Sequence, residues 1–245
     1  MRVHSHIPIL MYHGIRDTSP GNPWVISWDE FRQQVQALTA WGYSAIRFAD
    51  LINHVKGQAA LPQRPVLLTF DDGFIELYDR VFPHLFERGM CGTLFLPTGY
   101  VGKNNDWDRE KAYGRARIMT KKQAAELASQ GAELGSHGVS HARLTQLPVT
   151  QIRRELRQSK MELEHIGRMP VRALAYPYNA WDELTLALAE ESGYQCGVMI
   201  DSKSNTVQDD LFRLRRVHVK PGEGLMAFRR KISNWYLWWR GVKGH

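Results

Sequence analysis

Pro65-Val-Leu-Leu-Thr-Phe-Asp-Asp-Gly73 reads as a buried β-strand, Pro65–Phe70, that stops on two adjacent carboxylates. Working outward, strand-like and helical stretches alternate along the whole chain. Upstream come strands over Ile7–Tyr12 and Tyr43–Arg47 and helices over Asp29–Trp41 and Phe48–Val55. The first of these helices has Phe31, Val35 and Leu38 at helical spacing, with Ser27 or Asp29 as cap. Downstream a helix near Leu77–Gly89 leads to a strand at Thr93–Pro97, then a helix at Thr120–Gln130 to a strand at Glu133–Ser136. Helix Thr150–Ile166, strand Ala173–Tyr176, helix Asp182–Ser192 and strands Cys196–Ile200 and Phe212–Val219 follow, and an amphipathic helix Gly224–Trp239 closes the chain. So many strand–helix units imply an α/β fold with a mostly parallel sheet, either open or closed into a barrel. Asp17–Trp24 and Gly99–Ile118 read as loops, and the second is longer than a plain connector, as the walls of a substrate groove often are.

The length allows one large domain or two small ones. The 245 residues are 43% apolar and 23% charged, with 20 Gly and 11 Pro, which excludes a disordered or collagen-like chain. No run of about 18 apolar residues is present, so no transmembrane helix is expected. The net charge of +7 is concentrated at one end: from Leu211 to His245 nine basic residues face one acid, Glu223. The first 210 residues are therefore near neutral, which argues against a nucleic-acid partner, whose surface would spread its basic residues. The same basic tail holds Trp235, Trp238 and Trp239 and suits a peripheral contact with an anionic membrane through 224–245. The expected division is a catalytic domain over 1–222 and a basic, Trp-rich helix over 223–245. Cys91 and Cys196 form no disulfide framework and read as buried thiols. The N-terminus has one basic residue and a six-residue apolar run broken by Pro8, which is not a signal peptide. The expectation is a cytoplasmic protein, on the inner face of the inner membrane if the tail binds there.

No glycine-rich nucleotide loop follows any strand. The chemistry lies in two other places. Asp71-Asp72 ends one strand, and adjacent residues there can serve different sides of a site, one as metal ligand and the other as base. Ser136-His137-Gly138-Val139-Ser140-His141 ends another, and two His four apart share one side if the segment turns helically. One Asp and two His make a three-ligand metal site with a position left open, the catalytic rather than the structural pattern.

Thr-Phe-Asp-Asp-Gly followed by Ser-His-x-x-x-His resembles the polysaccharide deacetylases of carbohydrate esterase family 4, and the likeness runs from about His6 to Val219. The resemblance implies an α/β fold, the distorted (β/α)7 barrel of that family, and metal-dependent hydrolysis of an N-acetyl amide. It makes Asp71 the general base and Asp72, His137 and His141 the ligands of a divalent ion, Zn²⁺ first, with Co²⁺, Ni²⁺ or Mn²⁺ as alternatives. Ile9-Leu10-Met11-Tyr12-His13-Gly14-Ile15 is similar to the branch acting on poly-N-acetylglucosamine, in which the His at the place of His13 is the general acid. Ala175-Tyr176-Pro177-Tyr178 matches the third motif, whose Tyr backbone N–H, here that of Tyr178, helps form an oxyanion hole. Leu214-Arg215-Arg216-Val217 matches a late strand that carries a functional Arg.

Two departures leave alternatives open. Where many members have an Arg that orients the catalytic Asp, this chain has Ala175, so Arg172 or Arg216 must substitute, and Arg216 is the choice. The acid is His13 or His218, with His13 favoured by its place at a strand end. Trp24, Trp28, Trp107 and Trp181 are candidates for sugar stacking, and Asp106, Trp107 and Asp108 form an exposed group in the long loop. The expected substrate-binding set is Asp106, Trp107 and Trp181. The expected function is removal of acetate from an N-acetylhexosamine in a cell-surface glycan, or in its lipid-linked or lipopolysaccharide-core precursor. The alternatives are partial de-N-acetylation of exported poly-N-acetylglucosamine and an inactive carbohydrate-binding protein on the same fold.

Overall fold

The structure is a computed structural model that describes residues 7–17, 21–108, 114–201 and 210–233. Its strands are β1 (Ile9–Tyr12), β2 (Gly14–Arg16), β3 (Val25–Ser27), β4 (Ser44–Ile46), β5 (Pro65–Phe70), β6 (Thr93–Leu96), β7 (Glu133–Ser136), β8 (Ala173–Ala175), β9 (Cys196–Ile200) and β10 (Leu214–His218). Its helices are α1 (Trp28–Ala40), α2 (Phe48–Val55), α3 (Phe82–Phe86), α4 (Lys121–Ser129), α5 (Val149–Gly167), α6 (Glu183–Glu191) and α7 (Gly224–Ile232).

β1 pairs in parallel with both β5 and β10, and the order β1-β10-β9-β8-β7-β6-β5 returns to β1. Seven parallel strands thus close a ring, the (β/α)7 barrel that the sequence motifs imply. β4 is the irregular piece: it pairs with the first half of β5, Ser44 opposite Pro65 and Ile46 opposite Leu67, outside the ring.

Alternation along the strands divides the apolar residues. Ile9, Leu67, Phe95, Ala173, Ala175, Val198 and Leu214 belong to one buried cluster, while Leu10, Leu68, Leu94, Leu174 and Val217 join the other, beneath the helices. The first cluster includes Phe48, Leu51 and Ile52 of α2, which plugs the N-terminal end of the barrel. Glu133, the first residue of β7, accepts from Phe48 N (2.7 Å) and Ala49 N (3.0 Å), so a buried carboxylate caps α2.

Local chemistry sets the helix starts. Ser27, not Asp29, caps α1 through a capping box with Glu30; Thr120 with Gln123 and Asp182 with Thr185 do the same for α4 and α6. The helix expected near Leu77–Gly89 is a π turn (Leu77–Val81) running into the short α3. β2 and β3 lie on either side of the expected Asp17–Trp24 loop and pair in parallel, Gly14 opposite Val25. The 99–118 loop is stitched back over the end of β5: Met119 N donates to Gly73 O (2.9 Å), and Phe74 bridges Ile118. α7 buries Phe228 and Ile232 against α1 and ends at Ile232, so the expected extension to Trp239, with Trp235, Trp238 and Trp239, lies outside the described residues. Cys196 is buried and Cys91 half-buried, both free thiols.

Candidate active site

The C-terminal ends of the ring strands meet around one cavity of about 180 Å³. That is the end of a (β/α) barrel where loops gather chemistry. Asp71 and Asp72 enter from β5, His137 and His141 from β7, Tyr176 and Tyr178 from β8, Arg216 from β10 and His13 from β1.

The turn after β5 sends the two carboxylates apart. Asp71 N donates to Tyr12 O (3.0 Å), so Asp71 prolongs the strand and faces inward like Leu67 and Thr69. Asp72 then takes φ +71° and Gly73 φ +73°. The left-handed conformation costs a non-glycine residue about 1–2 kcal/mol, which the site must hold in place. Gly73 cannot be replaced lightly, since its left-handed backbone suits glycine and a Cβ there would run into Leu96 Cδ2.

Asp71 meets Arg216 in a bidentate pair: Nη1 donates to Oδ1 at 2.6 Å and Nη2 to Oδ2 at 2.8 Å. Arg216 Nη1 also donates to Thr69 Oγ1 (3.3 Å), and both members of the ion pair are buried. Burial alone would raise the Asp71 carboxyl, but the Arg216 guanidinium beside it, together with His13 and His137, outweighs burial and holds it well below the usual carboxylate range. Arg172, the alternative partner, instead donates to Pro170 O (3.4 Å) ahead of β8 and does not reach Asp71. His13 Nε2 lies 3.7 Å from Asp71 Oδ2.

Asp72 meets the histidines. His141 Nε2 is 3.3 Å and His137 Nε2 3.8 Å from Asp72 Oδ1, and the three ligand atoms all lie within 4.8 Å of one another. His137 Nδ1 donates to Ala175 O (2.8 Å), which leaves the lone pair on Nε2. Burial, and then His141, push the His137 imidazole down to about 4, so it is neutral. One carboxylate oxygen and two imidazole nitrogens, with a backbone carbonyl behind one of them, fit a zinc-like divalent ion held by three protein ligands. The segment between the histidines is not helical, as the spacing argument supposes. Gly138 (φ +73°) and His141 (φ +54°) bend it into a loop, and the two rings meet edge-on at 4.8 Å.

Tyr178 (φ +56°) and Asn179 (φ +56°) form a second left-handed turn at the cavity. Asn179 holds it to the end of β9: Ile200 N donates to Asn179 Oδ1 (2.7 Å) and Asn179 Nδ2 donates to Ile200 O (3.2 Å). Sequence reasoning misses Asn179. The available signal is an Asn directly after Tyr-Pro-Tyr, since Asn tolerates left-handed backbone.

The aromatic candidates divide. Trp107 lines the cavity and stacks on His141 at 4.4 Å, and Trp24 lines it against His13 at 4.9 Å. Trp181 does not line it; it packs on the cluster beneath the helices, with the Arg213 guanidinium 5.8 Å from its ring. Asp106 also stands outside the lining, exposed and 3.9 Å from Arg115. Trp28 packs on Phe31 under the Arg80 guanidinium. His218 stacks on Trp24 at 4.4 Å, bonds the Pro23 carbonyl and is pushed down to about 3 by burial, whereas His13 lines the cavity itself. Burial also lowers His13, against the pull of Asp71 and Asp72.

Comparison with known proteins gives a consistent result. The family described as polysaccharide deacetylase matches residues 58–197. YxkH of Bacillus subtilis (strain 168), which carries a polysaccharide deacetylase name, is 30% identical over 228 residues, 93% of this chain and 76% of its own length. A poly-beta-1,6-N-acetyl-D-glucosamine N-deacetylase of Staphylococcus epidermidis is 24% identical over 92% of this chain and 82% of its own. Among solved structures, the deacetylase PplD of Streptococcus pyogenes, in complex with acetate, superposes with a TM-score of 0.82 at 26% identity, covering 93% of this chain and 98% of that one. A de-N-acetylase from Aggregatibacter actinomycetemcomitans shares the fold, with a TM-score of 0.80 at 17% identity over 92% of this chain and 99% of its own.

Proposed function

The chain belongs to the polysaccharide deacetylase family, and on that premise we propose that it hydrolyses the N-acetyl amide of an N-acetylhexosamine, N-acetylglucosamine first. Acetate and a free amino sugar are the products. The observation that carries this reading is the split of two adjacent carboxylates, Asp71 onto Arg216 and Asp72 onto His137 and His141. A carbohydrate-binding protein on this fold has no use for an ionised base held beside a ligand set. The Staphylococcus relative's name and the acetate in the Streptococcus structure support the same chemistry.

Asp72, His137 and His141 would hold the ion, which we take to be Zn²⁺. When bound there, such an ion polarises an acetamide carbonyl and acidifies water. The chain's own residues divide the remaining work. Asp71, fixed by Arg216, takes the proton of the attacking water. The Tyr178 backbone N–H donates to the oxygen that gains charge in the tetrahedral intermediate. His13 hands a proton to the departing amine nitrogen, which cannot leave as an anion. Burial lowers His13 and so favours its neutral form at rest, and the proton it hands on arrives during turnover. Asp71 Oδ2, which has taken that proton from the water, lies 3.7 Å from His13 Nε2 and passes it on, so the proton lost by the water ends on the amine.

We read the substrate as a lipid-linked or lipopolysaccharide-core glycan met at the inner membrane, with exported poly-N-acetylglucosamine as the second reading. The Zn²⁺-loaded protein is expected to release acetate from lipopolysaccharide-core fragments faster than from poly-N-acetylglucosamine. The reverse order selects the second reading, and no acetate from either sinks the deacetylase assignment. Among the described residues no helix is long and apolar enough to cross a membrane. α7 exposes Leu225, Met226, Arg229 and Arg230 ahead of the Trp-rich tail. Tyr43 donates to Ile232 O (3.0 Å), so α7 ends beside the segment that leads into β4, at the end of the barrel away from the cavity. The full chain is expected to sediment with anionic vesicles at low salt and release as salt rises. Equal sedimentation with neutral vesicles removes the membrane reading.

A further inference from the structure

The loop that carries both histidines belongs to no strand or helix, and only its first residues are held by backbone bonds that continue from the end of β6. Its partners come from two sides. On one, Thr98 N donates to Gly138 O (3.0 Å) and Gly99 N to Val139 O (2.9 Å), from the segment after β6. On the other stands the side chain of Glu155, in the second turn of α5. Glu155 Oε2 accepts from Val139 N (2.7 Å) and Ser140 N (2.9 Å), and Oε1 accepts from Ser140 Oγ (2.7 Å). The carboxylate is seated closely enough that a Cβ on Gly138 would come 3.0 Å from Oε2.

Two backbone amides that both point at one carboxylate form a small concave anion seat, and here the anion is part of the protein. The amides belong to the two residues that precede His141. Holding them fixes the chain direction into His141, whose φ of +54° would relax toward ordinary values without the restraint. In the held position His141 Nε2 faces Asp72 Oδ1 at 3.3 Å. Resting on the reading of Asp72, His137 and His141 as a metal site, we propose that Glu155 is a positioning residue for it. It touches neither ligand atom nor cavity; it presets the loop so that the two imidazoles need not be ordered when the ion binds. Groups that orient metal ligands from behind change metal affinity by about 10–100-fold when removed.

Competition for Zn²⁺ against a fluorescent chelator tests this on the full chain, with no need of turnover. Glu155→Gln keeps the size but turns an amide N–H₂ toward donors. It is expected to weaken Zn²⁺ binding by about 10–100-fold, while acetate release at saturating Zn²⁺ returns close to the wild-type rate. Ser140→Ala, which removes one of the three bonds, is expected to weaken it less. Glu162→Gln, further along α5, is the control and is expected to bind as wild type. Wild-type affinity in Glu155→Gln overturns the proposal. Should that variant fail to fold by circular dichroism of the metal-free protein, Ser140→Ala and Glu155→Asp decide, and unchanged affinity in both overturns it. A wild-type chain that binds Zn²⁺ without releasing acetate would sink the deacetylase reading and leave the role of Glu155 standing; one that binds no Zn²⁺ overturns both.

Discussion

Asp71→Asn is expected to slow acetate release by about 10²–10⁴-fold at full metal occupancy, because a general base contributes about that much and the ligand set is untouched. The geometry also demands a second effect. Arg216 is buried, and its two Nη groups are spent on Asp71 at 2.6 and 2.8 Å. An Asn can accept from one of them, but its N–H₂ faces the other donor and the countercharge is gone. Breaking a buried pair by removing one partner costs about 3–5 kcal/mol, so the variant should melt well below wild type. Rates must therefore be compared far under its melting temperature, on protein whose fold and metal content have been checked. Loss of the metal in a folded Asp71→Asn variant would mean that the two aspartates have exchanged roles. A rate within a few-fold of wild type would remove Asp71 from the proton path.

The features that can be read along the chain are those set by local chemistry. Pro65–Phe70, Glu133–Ser136 and Cys196–Ile200 are strands within the bounds their patterns give, because buried strands are short apolar runs with clear stops. Ser27, Thr120 and Asp182 cap helices for reasons visible within three residues. The ribbon of β2 and β3 escapes notice because each strand has three residues, too few for a period to show. Closure of the ring depends on β1 meeting β5, a contact between strands more than fifty residues apart that no local pattern encodes. The motifs, through family resemblance, supply it instead.

The site divides in the same way. Asp71, Asp72, His137 and His141 announce themselves at strand ends. Asn179 and Glu155 do not, since each acts on backbone groups 16 or 21 residues away. Trp181 stands near Tyr178 in sequence, yet α6 begins there and carries it onto the cluster beneath the helices. Sequence distance from a catalytic residue says little about which way a side chain faces. The helical reading of His137 and His141 fails for a related reason: the i, i+4 spacing fits a helix, but Gly138 opens a left-handed bend that joins the rings by another route.

His137→Ala is expected to abolish stoichiometric metal and acetate release together. The imidazole supplies one of three ligand atoms that lie within 4.8 Å of one another, and its Nδ1–H bond to Ala175 O fixes the direction of the lone pair. The alanine leaves a buried gap lined by Asp72 and His141, two ligands where a catalytic site of this kind uses three. Metal content by elemental analysis reads the loss directly. Thermal denaturation reads it independently, because an ion that binds only the folded chain stabilises by RT ln(1 + [L]/Kd), about 2.7 kcal/mol at a hundredfold excess over Kd. Zn²⁺ should therefore raise the melting temperature of the wild type and leave that of His137→Ala in place. The two readouts separate a lost ligand from a damaged fold, since a misfolded variant would melt low with or without metal. The decisive case is His137→Ala combined with His141→Ala. Asp72 alone then remains, close to the charge of Asp71, and two neighbouring carboxylates without imidazoles hold a hydrated zinc ion poorly. Full metal retention in that double variant would show that the ion sits elsewhere, and the split of Asp71 from Asp72 would need another explanation.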